Sequence, residues 1–223
     1  NRSVIDRLEV GENLLGKDHM LSSGAVSVIM LFGIDHDPML SHPWVGAGFI
    51  GATLVGSVLP DLDSKDSKVT KVLHSKIYKY AIHRGFLHSI WFWIIFAMIT
   101  HMIINALFGW CHLGIAFSSH AISLTGGLWL GLVMGYLLHI IEDYFSAASV
   151  LWFYPLGQRD VAMWDRYHSL LAPVKYYRHD DDKKIPCRHW WGRGYITGGR
   201  GEKWIVYGLW ICAGSSIISW IVS

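Results

Sequence analysis

Residues 83–108 read HRGFLHSIWFWIIFAMITHMIINALF, and this stretch decides the fold class. Its apolar part, residues 90–108, contains no charged side chain and is close to the roughly 20 residues that a helix needs to cross a bilayer. Two histidines and an arginine come immediately before the apolar part. The stretch therefore predicts a membrane helix with a group of polar side chains at one end.

The composition extends this prediction to the whole chain. Of its 223 residues, 52% are apolar and only 16% are charged, and the mean hydropathy is positive. Twelve tryptophans fit a membrane protein, because indole favours the headgroup interface. We therefore expect an all-α, polytopic bundle forming a single domain over residues 1–223. Five predicted spans cover residues 20–34, 44–59, 90–108, 124–141 and 204–222.

The distribution of lysine and arginine predicts the orientation of these spans. Of 19 basic residues, three precede the first segment, six lie between the second and third, and ten lie between the fourth and fifth. The remaining loops, residues 33–43 and 109–123, contain none. Basic residues concentrate in cytoplasmic loops. We therefore expect a cytoplasmic N-terminus, an external C-terminus and a polar cytoplasmic loop at residues 154–203.

Several other classes of protein are not favoured by the sequence. The formal net charge of +2 is too small to indicate a nucleic-acid partner. The three cysteines form no CxxC pair, so neither a disulfide framework nor a thiolate metal cluster is predicted. The N-terminal residues lack an uninterrupted apolar core, so we expect no removable signal peptide.

Four of the predicted helix ends carry imidazoles or carboxylates, and the expected topology brings them to one cytoplasmic face. His139 and Asp143, four residues apart, project from one face of a helix. Asp61 and Asp63, two apart in an expected extended segment, should point to one side. Ionisable groups at membrane depth are costly unless paired, so this gathering predicts a metal or proton site. The full set is His19, Asp61, Asp63, His83, His88, His139, Glu142 and Asp143.

Each part of this set also has a purely structural interpretation. His19 can be a helix cap or an interfacial side chain, and residues 61–68, DLDSKDSK, can form a solvated turn that caps the next helix. His139 and Asp143 can form a buried hydrogen-bonded pair.

Two further groups of polar side chains lie away from this face. His101 and Asn105 within the third span are expected to hydrogen-bond to a neighbouring helix. Residues 35–42, DHDPMLSH, are expected to form an exposed loop on the opposite side of the membrane, with a separate weak metal site as the alternative.

The order of the polar motifs resembles a known family. After His19 come GSVLPDLDSKDSKV, HRGFLHS, YLLHIIEDYFS and YITGGRGEKW. This order is similar to that of the YdjM-like family of inner-membrane metal-dependent hydrolases, over most of the chain. The resemblance implies a multi-pass protein of the bacterial inner membrane, with distant kinship to zinc phospholipase C and P1-type nuclease folds. The metal ligands it implies are His19, Asp61, Asp63, His83, His88, His139 and Asp143.

A mixed imidazole and carboxylate set suits zinc, or manganese or iron if oxygen ligands dominate. We predict a hydrolase with one to three divalent ions, acting at the cytoplasmic leaflet on a phospholipid or lipid-linked phosphate ester. Arg84 is expected to bind an anionic substrate group, and Glu142 to act as general base or to support a ligand. Two alternatives stay open: a proton- or metal-coupled transporter, and a non-enzymatic protein with a structural metal.

Overall fold

The structure, a computed structural model, describes residues 15–33, 42–65, 67–81, 85–108, 123–145, 150, 152–153 and 200–222. All regular secondary structure within these ranges is helical, as the sequence predicts. The described residues form six α-helices: α1 (Leu15–Gly33), α2 (Pro43–Gly56), α3 (Lys68–Val72), α4 (Ile90–Phe108), α5 (Leu124–Phe145) and α6 (Arg200–Val222). Three short 3₁₀ turns join them, at Pro60–Asp63, Ile77–Lys79 and Phe86–His88.

Four of the helical segments are long and apolar enough to cross a membrane. The helix α1 is not among these four, because its first half carries Lys17, Asp18 and His19 together with serines. Five spans were predicted, so length and composition support four of them. The four candidate spans are Pro43–Asp63, Ile90–Phe108, Leu124–Tyr144 and Lys203–Val222.

Helices α2 and α5 approach each other very closely. A Cβ atom on Gly131 would collide with the backbone carbonyl of Phe49, and one on Gly135 would collide with the carbonyl of Thr53. Gly56 of α2 lies in the same way against the carbonyl of Leu132 on α5. Small residues let membrane helices bring their backbones together. The glycine-rich sequences of α2 and α5 therefore form the tightest helix pair among the described residues.

The other helices pack around this pair. On one side, α1 lies between α2 and α6, and it runs in the same direction as α6: Gly24 faces the Trp210 ring, and the rings of Phe32 and Trp220 are 5.5 Å apart. On the other side, α4 packs on α5, where the indole Nε1 of Trp93 donates a hydrogen bond of 3.0 Å to the Val133 carbonyl. No residue within α4 is buried, which fits a helix surrounded by lipid.

Chain direction brings four helix ends together. The N-terminal ends of α1 and α4 and the C-terminal ends of α2 and α5 meet on one side of the bundle, as the contacts among His19, His88, His139 and Asp61 show. The polar side chains that the sequence places at these ends therefore share one buried space.

Candidate metal centre

Three imidazoles from three different segments lie side by side at this end of the bundle. They belong to His19 on α1, His88 in the 3₁₀ turn before α4, and His139 on α5, and each is at most 1% exposed. The ring centroids of His19 and His139 are 4.1 Å apart, and those of His88 and His139 are 5.2 Å apart. His139 is therefore the central imidazole of the group.

The tautomer of His139 is set by the helix pair that surrounds it. Its Nδ1 lies 2.6 Å from the backbone carbonyl oxygen of Ser57, at the C-terminal end of α2. Because a carbonyl can only accept, Nδ1 must carry the proton and donate it. In the neutral ring, the lone pair is then on Nε2, which is the atom that a metal ion binds.

The other two imidazoles have carboxylate partners at the same ring position. His88 Nδ1 lies 3.1 Å from Asp63 Oδ2, and His19 Nδ1 lies 2.5 Å from Glu142 Oε2. A hydrogen bond from one ring nitrogen to a carboxylate orients an imidazole and makes its other nitrogen a stronger ligand. All three rings therefore have Nδ1 occupied by an acceptor within the protein.

The three Nε2 atoms converge on the carboxylate of Asp143. His88 and His139 approach Asp143 Oδ2 at 3.3 and 3.6 Å, and His19 approaches Asp143 Oδ1 at 3.6 Å. The carboxylate of Asp61 joins them, with Oδ1 3.6 Å from His139 Nε2. Within this space, two overlapping groups could hold a metal ion, each with its donor atoms within 4.8 Å of one another: His19, His139 and Asp143, and Asp61, His88 and His139.

The charges of the centre favour a cation. Burial lowers the pKa of His88, but the carboxylates of Asp63 and Asp143 more than offset burial and raise that pKa to about 9. The centre contains four carboxylates, from Asp61, Asp63, Glu142 and Asp143, and three imidazoles, and all of these except Glu142 are buried. An uncompensated negative charge in such a space is costly. A bound cation would compensate this excess in the same way as protons on the rings.

Asp61 and Asp63 reach different imidazoles, contrary to the prediction that they point to one side. They lie in the 3₁₀ turn Pro60–Asp63 and not in an extended segment. With three residues per turn, side chains two positions apart project in different directions. Asp61 therefore faces His139, whereas Asp63 faces His88.

The segment after this turn holds Asp61 in place. The hydroxyls of Ser67 and Thr70 both donate to the Asp61 carbonyl, at 2.8 and 3.1 Å. Ser67 also caps α3 by accepting a hydrogen bond of 3.2 Å from the Thr70 backbone N–H. The capping part of the structural interpretation is therefore confirmed, whereas the solvated part is wrong for Asp61 and Asp63, which are both buried.

His88 is positioned by α5. The hydroxyl of Tyr136, one turn before His139, donates a hydrogen bond of 2.7 Å to the carbonyl of Leu87. The Tyr136 ring packs against Phe96 of α4 with centroids 4.7 Å apart. The turn that carries His88 is thus fixed against the same helix that carries His139.

Glu142 contacts two side chains of α1. In addition to His19, it lies 3.4 Å from the Ser23 hydroxyl, which donates to Oε1. The sequence suggested two roles for Glu142, as a general base or as a support for a metal ligand. Its contact with His19 corresponds to the second role.

Some predicted residues lie elsewhere. His83 and Arg84 are outside the described residues, as are residues 34–41. His101 and Asn105, which were expected to hydrogen-bond to a neighbouring helix, hydrogen-bond to each other within α4, at 3.2 Å. The His101 ring also lies edge-on to Trp129 of α5, with centroids 5.3 Å apart.

Sequence reasoning missed two contributors to the centre. Ser57 contributes its backbone carbonyl, and a backbone contact of this kind cannot be predicted from the type of the residue. Tyr136 lies three residues before His139, and this spacing predicts that both side chains project from the same face of the helix.

Apolar helices of membrane-spanning length that end at a buried imidazole and carboxylate cluster define a helical membrane protein with a candidate metal centre. The chain belongs to the YdjM inner membrane protein family, whose sequence model matches residues 15–218. No curated protein and no solved structure matches the chain.

Proposed function

We propose that this protein is a metal-dependent hydrolase of the bacterial inner membrane, and that it cleaves a phospholipid or a lipid-linked phosphate ester at the cytoplasmic leaflet. The observation that carries this proposal is the convergence of three Nε2 atoms, from His19, His88 and His139, on the carboxylate of Asp143. The proposal also rests on the membership of the inner membrane protein family.

The residues of the centre fit a divalent ion. In each of the three imidazoles Nδ1 is hydrogen-bonded, and the other ring nitrogen, Nε2, faces a carboxylate oxygen. The three imidazoles are buried. Imidazole and carboxylate together suit zinc better than magnesium or calcium, and manganese or iron remain compatible. In this proposal Asp63 and Glu142 orient the imidazoles. An ion would be held by one of the two overlapping groups, His19, His139 and Asp143 or Asp61, His88 and His139.

A divalent ion at this position supplies Lewis-acid assistance to the hydrolysis of an ester. The chain supplies the groups around it. Glu142 is the most accessible of the surrounding carboxylates, with 18% of its side chain exposed, and Asp61 is 11% exposed. A carboxylate on the open side of the centre can accept the proton of an attacking water, so Glu142 is our candidate for the general base.

The depth of the centre favours a lipid substrate. Asp143 lies one residue before the end of the candidate span Leu124–Tyr144, and His88 lies just before the span Ile90–Phe108. Both positions correspond to the boundary between acyl chains and headgroups. A phosphate ester of a membrane lipid reaches this depth without leaving the bilayer.

The orientation of the protein is part of the proposal. The parallel packing of α1 with α6 and of α2 with α5, together with the N-terminal end of α4 at the C-terminal ends of α2 and α5, fits five passes through the membrane, with the centre on the cytoplasmic side. The concentration of lysine and arginine in the segments on that side supports this orientation.

Metal analysis of the detergent-purified protein, followed by an activity assay, tests the proposal. We expect bound zinc, manganese or iron in the wild-type protein, loss of most of it in His139→Ala, and retention in the control His101→Ala, whose imidazole lies on α4 away from the centre. The metal-loaded protein is then given phospholipids and lipid phosphates, and phosphate or headgroup release is measured. A wild-type protein that binds no metal contradicts the proposal.

A structural metal site is the second candidate function, and near-complete burial of His88, His139 and Asp143 favours it. Full metal content with no turnover of any lipid in the panel would support this candidate over the hydrolase. A transporter predicts ionisable groups distributed across the membrane. Among the described residues the buried ionisable groups instead gather at one end of the helices.

A further inference from the structure

The segment that joins the candidate spans of α2 and α4 exposes basic and apolar side chains together. Residues 67–81 of this segment contain no aspartate or glutamate. No ammonium group in it makes an ion pair with any residue that the structure describes. Its exposed basic side chains are Lys68, Lys71, Lys76 and Lys79, and its exposed apolar ones are Val72, Leu73, Ile77 and Tyr80.

The position of this segment fixes its depth. It follows the candidate span Pro43–Asp63 after a few residues and leads into the span Ile90–Phe108. Both of its ends are therefore at the same face of the membrane. The bonds from Ser67 and Thr70 to the Asp61 carbonyl hold its beginning directly against the end of the first of these spans.

The mixture of side chains fits an anionic bilayer surface. Tyr80 is 89% exposed and Val72 is 73% exposed in the protein alone, which is unfavourable in water for apolar groups. At the interface such groups enter the boundary between headgroups and acyl chains. Lysines at the same depth attract anionic headgroups, while their methylene stems lie along the apolar surface.

We propose that residues 67–81 form a basic anchor that binds the anionic headgroups of phospholipids at the membrane surface. Its charge is complementary to anionic lipid, and its apolar side chains have a place in the same surface. The anchor is also connected to the candidate metal centre, because Ser67 and Thr70 hold the backbone of Asp61. The proposal does not depend on catalysis, since its test measures lipid binding.

The first test compares lipid preference in reconstituted full-length protein. Spin-labelled phosphatidylglycerol and phosphatidylcholine report the relative association of each lipid with the protein. We expect wild type to prefer phosphatidylglycerol, and the fourfold variant Lys68→Gln, Lys71→Gln, Lys76→Gln, Lys79→Gln to lose about fivefold or more of that preference. The matched variant with arginine at the same four positions should retain it.

The outcome that overturns the proposal is an unchanged phosphatidylglycerol preference in the glutamine variant. The lysines would then serve a soluble acidic partner, or none. If the fourfold glutamine variant does not fold, the pairs Lys68→Gln with Lys71→Gln and Lys76→Gln with Lys79→Gln are measured separately, and an unchanged preference in both pairs overturns the proposal equally.

A second test measures depth. A spin label is placed at Val72→Cys in protein whose cysteines are replaced by serine, with a label at Met98→Cys in α4 as the reference inside the bilayer. We expect the label at residue 72 to collide with dissolved oxygen more than with a water-soluble nickel complex when the membrane contains phosphatidylglycerol. A label that collides mainly with the nickel complex would show that the segment projects into water.

Discussion

His139 on α5 and Ser57 at the end of α2 are joined by a hydrogen bond of 2.6 Å, from the ring Nδ1 to the backbone carbonyl. This bond depends on how closely the two helices approach. Four residues before His139, Gly135 lies against the Thr53 carbonyl and the Ser57 backbone nitrogen, with no room for a Cβ. The packing of two apolar helices thereby determines which nitrogen of a candidate ligand is free.

The change Gly135→Ala is therefore expected to disturb both packing and metal binding. The added methyl collides with backbone rather than with a flexible side chain, so α5 must move away from Ser57. We expect a loss of about 1–3 kcal/mol or more in stability and a large fall in the content of the proposed metal. Thermal unfolding in detergent and metal analysis measure the two effects. Gly51→Ala is the control, because nothing lies within 4 Å of a Cβ there; equal results for both variants would contradict this account.

Asp63→Ala should weaken binding of the proposed divalent metal without abolishing it. Asp63 holds His88 through Nδ1, and loss of such an orienting carboxylate costs about 10- to 100-fold in affinity. Asp143→Ala should cost more, because Asp143 approaches all three Nε2 atoms. Titration against a chelator of known affinity gives both values. A larger effect for Asp63 than for Asp143 would show that the two carboxylates have been assigned the wrong roles.

Glu142→Gln separates orientation from proton transfer. The glutamine oxygen can still accept the hydrogen bond from His19 Nδ1, so most of the bound metal should remain. An amide cannot take a proton from water, so turnover should fall about 10²- to 10⁴-fold if Glu142 is the general base. Metal content and initial rate are measured on the same preparation. Unchanged turnover would remove Glu142 from the chemistry and leave it as a support for His19.

Arg84→Lys addresses a prediction made from the sequence alone, since Arg84 lies outside the described residues. An ammonium group cannot reproduce the planar, two-point contact of a guanidinium with a phosphate. The variant should keep its metal and its fold but lose about 10- to 1000-fold in turnover, or about 1.4 to 4 kcal/mol. Steady-state rates on the lipid substrate measure the loss. A lysine variant as active as wild type means that Arg84 does not bind the anionic group.

Topology reporters test the orientation. A reporter fused after Ser223 should show a periplasmic location, and one inserted near Asp181 a cytoplasmic one, because the basic residues lie in the segments assigned to the cytoplasm. The reporters are enzymes that are active on only one side of the membrane, and their activity is measured. Reversed locations would place the candidate centre at the outer face and remove the cytoplasmic leaflet from the proposal.

The sequence predicted the apolar elements well, because a long apolar run has few alternatives. The segment at residues 90–108 agrees with α4 in both bounds. Helix α6 begins at Arg200, four residues before the apolar segment, since backbone hydrogen bonding continues through polar residues that hydropathy excludes. α1 extends in the same way to Leu15, ahead of the segment that was predicted to begin at residue 20.

The sequence also predicted which helix ends meet, but not how the atoms of the site are arranged. Chain direction alone places His19, His88 and His139 at one end. The partner of each Nδ1 depends on local geometry that residue type does not encode: a backbone carbonyl for His139, and a 3₁₀ turn that separates Asp61 from Asp63. An extended segment would have given these two aspartates the same partner.

The shared position of His139 limits how many ions the cluster can bind at once. Both candidate groups require this one imidazole, and with Nδ1 donating to Ser57 it has a single lone pair to offer. Two ions would compete for it, and the ion that loses would keep only two ligands from its group: His19 and Asp143, or Asp61 and His88. Titration should therefore saturate at one tightly held ion per chain, with any second ion much weaker and displaced first by a chelator.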